Sequence, residues 1–236
     1  MEYTGRKMRV TRLFSFMAWW RKPEVNKVVL TMVYADFLLI SATGFLSPIA
    51  AVFITTQIVG ATIATVGFAT TVFWVVKSGV QIPVSAYADA KHGERDDYQL
   101  MLVGAVIMCV VPLLYYFFAR EVWHVFAFEV LNGIAYALHV PTWLAIFTRH
   151  IDKHKESSEW TLHSNTIGLG FAASAAIGGV LADRFGFRVL FLLVSAFMFL
   201  GTVVLLVIRD ELLASDGRDG LSHAYAISEQ KEKMRG

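Results

Sequence analysis

Residues 178–188 read GGVLADRFGFR and lie between two long apolar stretches. The skeleton of the run is Gly179, Asp183, Arg184, Gly186 and Arg188. Residues 85–95, SAYADAKHGER, echo it with Asp89, Gly93 and Arg95. Gly93 and Arg95 precede Gly186 and Arg188 by 93 positions, and the same 93 separates Asp36 from Glu129 and Pro48 from Pro141. Asp89 is out of step by one residue, because its interval to Gly93 is one longer than that from Asp183 to Gly186. An offset shared by an acid, a proline, a glycine and an arginine marks two copies of one unit.

The chain is 56% hydrophobic and its charges gather in short clusters. A soluble helical domain would instead spread charge along the outer face of each helix. Apolar stretches of about 20 residues recur, the length that crosses roughly 30 Å of hydrocarbon. The sequence therefore predicts an all-α, polytopic membrane protein with six transmembrane helices at about 28–54, 62–86, 99–119, 122–147, 160–182 and 187–208. These form two three-helix repeats, 28–120 and 121–210. Residues 1–27 are basic, and Val10, Leu13, Phe14, Met17 and Trp20 share one helical face, as in a helix lying in the membrane interface. The apolar part of that segment is short and followed by Arg21 and Lys22, so no cleavable signal peptide is expected. Residues 211–236 read as a mobile polar tail.

Lysine and arginine set the orientation. Seventeen of the 21 fall before the first span, between the second and third, between the fourth and fifth, or after the sixth. The other two loops hold Arg120, Arg184 and Arg188. Both termini are expected in the cytoplasm of an integral, multi-pass cell-membrane protein. A net charge of +2 argues against a nucleic-acid partner. The single cysteine, Cys109, lies in an apolar run and forms no intrachain disulfide.

Three spans per copy is an odd number, so the second copy is inverted relative to the first. Inverted three-helix repeats are a mark of secondary transporters. The chain resembles the N-terminal half of a major facilitator superfamily transporter over about 26–210. GGVLADRFGFR is similar to that family's fifth-to-sixth connection and carries its G-x-x-x-D-R-x-G-x-R pattern. The copy after the second span has Ser85 for the first glycine and one inserted residue. Gly170, Ser174, Ala175, Gly178 and Gly179 are similar to the fifth-span antiporter motif G-x-x-x-G-P-x-x-G-G, with Ser174 and Ala175 in place of Gly-Pro. Glu129 stands where the fourth-span motif begins with arginine, ahead of Asn132 and Gly133. The resemblance implies twelve spans around a central cavity, and six are present. It also implies a gate in which Asp89 contacts the start of a partner's fifth span, near Ser157–Glu159.

Polar residues single out four spans. Asp36, Thr43 and Ser47 share one face of the first. Thr70, Trp74, Lys77 and Gln81 share a face of the second. The fourth carries Glu129, Asn132, Tyr136 and His139, and the fifth His163, Thr166, Gly170 and Ser174. Polar groups in a bilayer face protein or a water-filled cavity, so these four spans are expected to line one, with spans three and six facing lipid. At 1.5 Å per residue, Asp36 and Lys77 both lie roughly 13 Å from the inner boundary. That depth predicts an Asp36–Lys77 pair with His139 nearby, and leaves Glu129 without a base. Asp36, Lys77, Glu129 and His139 are the candidate transport and coupling residues. Trp74, Gln81, Asn132, Tyr136 and His163 are the candidate cavity lining. Asp89, Gly93, Arg95, Gly179, Asp183, Arg184, Gly186 and Arg188 form the candidate gating motif. Pro48 and Pro141 are expected to kink their helices.

There is no phosphate-binding G-x-x-x-x-G-K-[ST] loop and no H-E-x-x-H or nucleophile-elbow motif, so no enzymatic activity, cofactor or metal is expected. The expected function is secondary active transport of a small solute by alternating access, coupled to protons, in a homodimer of six-helix bundles. A heterodimer with another six-span chain is the alternative assembly, and a non-transporting membrane scaffold or accessory subunit the alternative function.

Overall fold

The computed structural model describes residues 26–90 and 93–212; the expected interfacial helix and the tail from 213 onward lie outside them. Among the described residues the regular structure is helical, apart from one bridge that pairs Val59 with Glu121. Helix α1 (Lys27–Leu46) starts where the Asn26 side chain accepts the Val28 N–H at 2.9 Å. It stops at Pro48, which has no N–H to continue the ladder, and α2 (Ala50–Gln57) resumes beyond it. The single first span expected at 28–54 is thus two helices. After Gly60, at φ 74°, Thr62 and Thr65 cap each other: the Thr62 N–H donates to Thr65 Oγ1 at 3.0 Å and the Thr65 N–H to Thr62 Oγ1 at 3.4 Å. They open α3 (Ile63–Ala90).

Helix α4 (Glu94–Phe118) carries Glu94, Asp96 and Asp97 in its first turn. Helix α5 (Val122–His150) carries Arg149 and His150 in its last. Both placements suit the helix dipole. Pro141 sits inside continuous α5, so of the two prolines expected to kink, only Pro48 breaks its helix. Helix α6 (Glu156–Leu206) is interrupted at Gly186, where φ 76° and ψ 169° lie outside the helical region. Only glycine adopts such a backbone freely. The first limb of α6 brings Gly170 against Phe37 and Gly178 against Phe45, in step with α1. The second brings Phe197 against Phe45 and Gly201 against Ala35, in the opposite sense. The chain therefore reverses at Gly186. Among the described residues five helices are long and apolar enough to cross a membrane, and that reversal makes six segments of them.

Helix α1 packs along both limbs of α6; α5 packs on α3 and α4; α4 closes the bundle against α6. At this last contact Cys109 Sγ lies 3.3 Å from Thr202 Oγ1, and Ser195 Oγ donates to the Cys109 carbonyl at 2.8 Å. Met32, Leu39, Met101, Met108, Phe147, Leu190 and Leu205 are wholly buried between these helices. Helix α3 is the outlier: 11% of its most apolar stretch is buried, against 61% for α1.

One end of the bundle is tied by charge. Arg149 hydrogen-bonds Asp97, and its Nε lies 3.7 Å from Glu94. His150 Nδ1 is 3.5 Å from the same Glu94. Asn26 Nδ2 donates to the His150 carbonyl at 3.2 Å, which fastens the start of α1 to the end of α5. Lys27 pairs with Glu211 beside them.

Candidate functional site

A cavity of about 520 Å³ opens between α1, α2, α3, α4, α5 and the second limb of α6. Its polar wall is Thr43, Ser47, Thr70, Lys77, Glu129 and Asn132, with Trp74 and Tyr136 beside them. The remainder is apolar: Phe53, Ile54, Phe73, Met108, Phe191, Val194 and Met198. Helices α3 and α5 supply the ionisable groups because Gly133 lets them touch. A Cβ there would meet the Phe73 carbonyl at 2.9 Å and the Val76 side chain at 3.1 Å.

Glu129 is held by neutral donors. The Tyr115 hydroxyl donates to one carboxylate oxygen at 2.8 Å, and Asn132 Nδ2 approaches the other at 3.5 Å. Tyr115 is fixed in turn by stacking on Phe191, with ring centroids 5.5 Å apart. Lys77 makes no ion pair among the described residues; its ammonium sits 4.4 Å from the centroid of Trp74 and 6.0 Å from that of Tyr136. Both distances are in the range where a ring face attracts a cation.

The expected Asp36–Lys77 pair does not form. Asp36 Oδ2 instead lies 2.6 Å from His163 Nε2. The reason is packing: α1 lies along α6, whereas α3 lies on α5, so equal depth does not bring Asp36 and Lys77 to one face. The His163 ring is boxed by Trp143 at 4.5 Å, Phe147 at 5.4 Å and Trp160 at 5.9 Å. His139 bonds across to α4, with Nδ1 3.0 Å from the Met101 carbonyl. That contact puts the ring hydrogen on Nδ1 and leaves Nε2 buried without a hydrogen-bond partner among the described residues. Gly104 allows the approach, since a Cβ there would lie 2.8 Å from the His139 nitrogen.

Of the expected lining residues, Trp74, Asn132 and Tyr136 face the cavity, while Gln81 and His163 stand outside its wall. Spans three and six were expected to face lipid alone. Their inner faces in fact supply Met108, Val111, Pro112, Tyr115, Phe191, Val194 and Met198, and the first limb of α6 supplies nothing. A cavity wall need not be polar, so polarity alone misplaces it. In the gating motif Asp89, Arg95, Asp183, Arg184 and Arg188 are exposed. Gly93 precedes α4 with an extended backbone, φ −100° and ψ 130°, unlike Gly186, and a Cβ at Gly179 would meet nothing. One functional neighbour escaped the sequence reading. Tyr115 sits in a run otherwise free of polar signal. His163 was expected to line the cavity and instead partners Asp36.

Comparison with known proteins gives consistent results. The family model for the Major Facilitator Superfamily matches residues 32–224. The multidrug resistance protein MdtG of Proteus mirabilis is 26% identical over 146 residues, 61% of this chain and 36% of that protein. The multi-drug resistance efflux pump PmrA of Streptococcus pneumoniae is 27% identical over 138 residues, 54% of this chain and 33% of that protein. The chain thus spans about a third of the length of these relatives. The in meso crystal structure of the POT family transporter PepTSo superposes with a TM-score of 0.67 over 80% of this chain and 38% of that one, at 17% identity, a likeness of fold. A family match across most of the six apolar segments, on a bundle with this shape, makes the chain a member of the major facilitator superfamily.

Proposed function

We propose that the chain is a six-helix half of a secondary active transporter, moving a small organic solute by alternating access with protons as the coupling ion. The observation that carries this reading is the cavity, in which Glu129 and Lys77 face a largely apolar space from helices otherwise suited to span a membrane. Ionisable groups there are costly unless they serve a pathway. The relatives' names, multidrug resistance protein and multi-drug efflux pump, favour outward movement of the solute. Glu129 serves as proton carrier, with Asp36 and His139 as further coupling groups. Asp36 does so through His163, which links α1 to the first limb of α6.

Division into repeats 28–120 and 121–210 is supported by how the segments partner. Exchanging segments one, two and three with four, five and six turns the α1–α6 contacts into those of α5 with α3 and α4. The basic ends lie in the cytoplasm by the lysine and arginine asymmetry. The working unit is a parallel homodimer. Cβ atoms built at Gly67 and Gly79 of α3 and at Gly168 of α6 meet nothing within 4 Å among the described residues, so these faces have room for a second bundle related by a two-fold axis. A different six-span chain is the alternative partner.

The test is uptake into liposomes holding the purified chain under an imposed pH gradient. Gradient-driven accumulation of an organic solute is expected, and Glu129→Gln should abolish it while leaving solute exchange. Absence of any gradient dependence would refute transport and favour the scaffold reading. In a Cys109→Ser background, cysteines placed at Asp89 and Ser158 should oxidise to a cross-linked dimer; full transport by a monomer would refute the assembly.

A further inference from the structure

We infer that the cavity binds an amphipathic organic anion, with Lys77 taking the anionic group and the aromatic wall taking an apolar, flat body. The assignment rests on the transporter reading above for its biological sense, though not for its chemistry. The two ionisable residues of the cavity are unequally provided for. Glu129 has a donor on each oxygen, Tyr115 and Asn132. Lys77 has three N–H donors and, among the described residues, no carboxylate within 4.0 Å and no hydrogen-bond acceptor; only the faces of Trp74 and Tyr136 attend it. A ring face offers a cation far less than a carboxylate or sulfonate does. The unmet polar demand of the site is therefore for an anion. A cationic ligand would have to settle beside Lys77 and compete with it for the same ring faces.

The rest of the wall specifies what carries the anion. Phe73 packs edge-on against Trp74 at 5.4 Å and against Tyr136 at 5.4 Å, so the two rings near the ammonium belong to one aromatic cluster. Beyond it Phe53, Met108, Phe191 and Met198 continue the apolar surface. A cavity of about 520 Å³ falls within the range that encloses small organic ligands. A membrane lipid is the other source of an anion on an apolar body. Lys77 stands near the middle of the 28-residue α3, and about nine residues, roughly 13 Å at 1.5 Å per residue, inside the nearer end of its expected span. That is too deep for a phosphate at the interface, so a solute is the occupant.

The experiment measures binding alone, with the full chain in phosphatidylcholine nanodiscs and equilibrium dialysis against protein-free discs. The probes are 2-naphthalenesulfonate and the size-matched cation 2-naphthyltrimethylammonium. The sulfonate should bind about tenfold or more tightly than the cation. Lys77→Met should weaken the sulfonate by roughly ten- to a hundredfold, the worth of a charge-assisted hydrogen bond. Lys77→Arg should keep most of the affinity, and Lys153→Met, at an exposed lysine outside the cavity wall, should leave it within about threefold. The arginine variant keeps the charge and guards against a folding artefact in the methionine one. Preference for the cation, indifference to Lys77→Met, or failure of both probes to bind would overturn the assignment. Loss of sulfonate binding when phosphatidylglycerol is added to the discs would overturn the solute in favour of lipid. Lys77-dependent binding without transport would instead count against the transporter reading and leave this one standing.

Discussion

Gly178→Ala and Gly179→Ala add the same methyl to adjacent residues of one helix, yet the structure assigns them opposite effects. At Gly178 the new Cβ would lie 2.8 Å from Phe45 Cα and 2.9 Å from its carbonyl carbon, with the carbonyl oxygen nearer still. These are backbone atoms, so no rotamer change relieves the contact. The first limb of α6 must move away from α1 by more than the 0.6 Å between 2.8 Å and an ordinary 3.4 Å contact, since the carbonyl oxygen is closer than that. Overpacking of this kind costs about 1–3 kcal/mol, and the rigid neighbour places Gly178 near the top of that range. Replacing glycine by alanine in a helix returns roughly 1 kcal/mol, for a net loss of about 2 kcal/mol. At Gly179 nothing lies within 4 Å, so only the helix gain of roughly 1 kcal/mol remains. For a chain of this size 1 kcal/mol moves Tm by roughly 2–4 °C. Scanning fluorimetry of the tryptophans in mild detergent should therefore find Gly178→Ala melting some 4–8 °C lower and Gly179→Ala slightly higher than the parent. Equal melting of the two variants, or a more stable Gly178→Ala, would refute the close approach of α1 and α6.

Asp36→Asn should destabilise the bundle by about 1–3 kcal/mol, and a double-mutant cycle should find coupling to His163 and none to Lys77 beyond roughly 0.5 kcal/mol; thermal unfolding of the four variants in each cycle decides it. Arg149→Met leaves Glu94 and Asp97 buried without their guanidinium and should cost about 3 kcal/mol at neutral pH. The loss should shrink as Asp97, whose pKa burial raises, protonates in acid, which melts across a pH series will read. Gly186→Ala forces a side chain onto φ 76° and should cost about 1–2 kcal/mol; unchanged thermal stability would show that the reversal does not need that backbone.

Much of the fold was legible because the bilayer makes hydropathy nearly sufficient: six apolar segments and the reversal at Gly186 are written in run length and in GGVLADRFGFR. What hydropathy supplies is depth, and depth says nothing of the direction a side chain takes around its helix. Asp36 was matched to Lys77 on depth, but the small residues of α6, Gly170 and Gly178, hold α1 against that helix and turn Asp36 to His163. Tyr115 was overlooked for a related reason. It lies in a nearly pure hydrocarbon run, and its role appears only when Gly104 draws α4 against α5 and the hydroxyl reaches Glu129. On α3, Thr70, Trp74 and Lys77 line the cavity. Gln81, one turn further on, has passed the cavity's edge.

Cys109 and Thr202 touch at 3.3 Å and stand 93 positions apart, the interval that also separates Asp36 from Glu129 and Pro48 from Pro141. On the two-copy reading proposed above, a residue that meets its own counterpart lies on the axis that exchanges the copies. Such a place is a mirror for the side chain that occupies it. In an ancestor built from two separate three-helix chains, one residue type would have faced itself there, a situation that a small thiol or hydroxyl tolerates and a charge does not. Joining the copies into one chain lifts that restriction, because each side then mutates alone. A thiol facing a hydroxyl is what a self-facing position becomes once the two genes that wrote it are free to disagree.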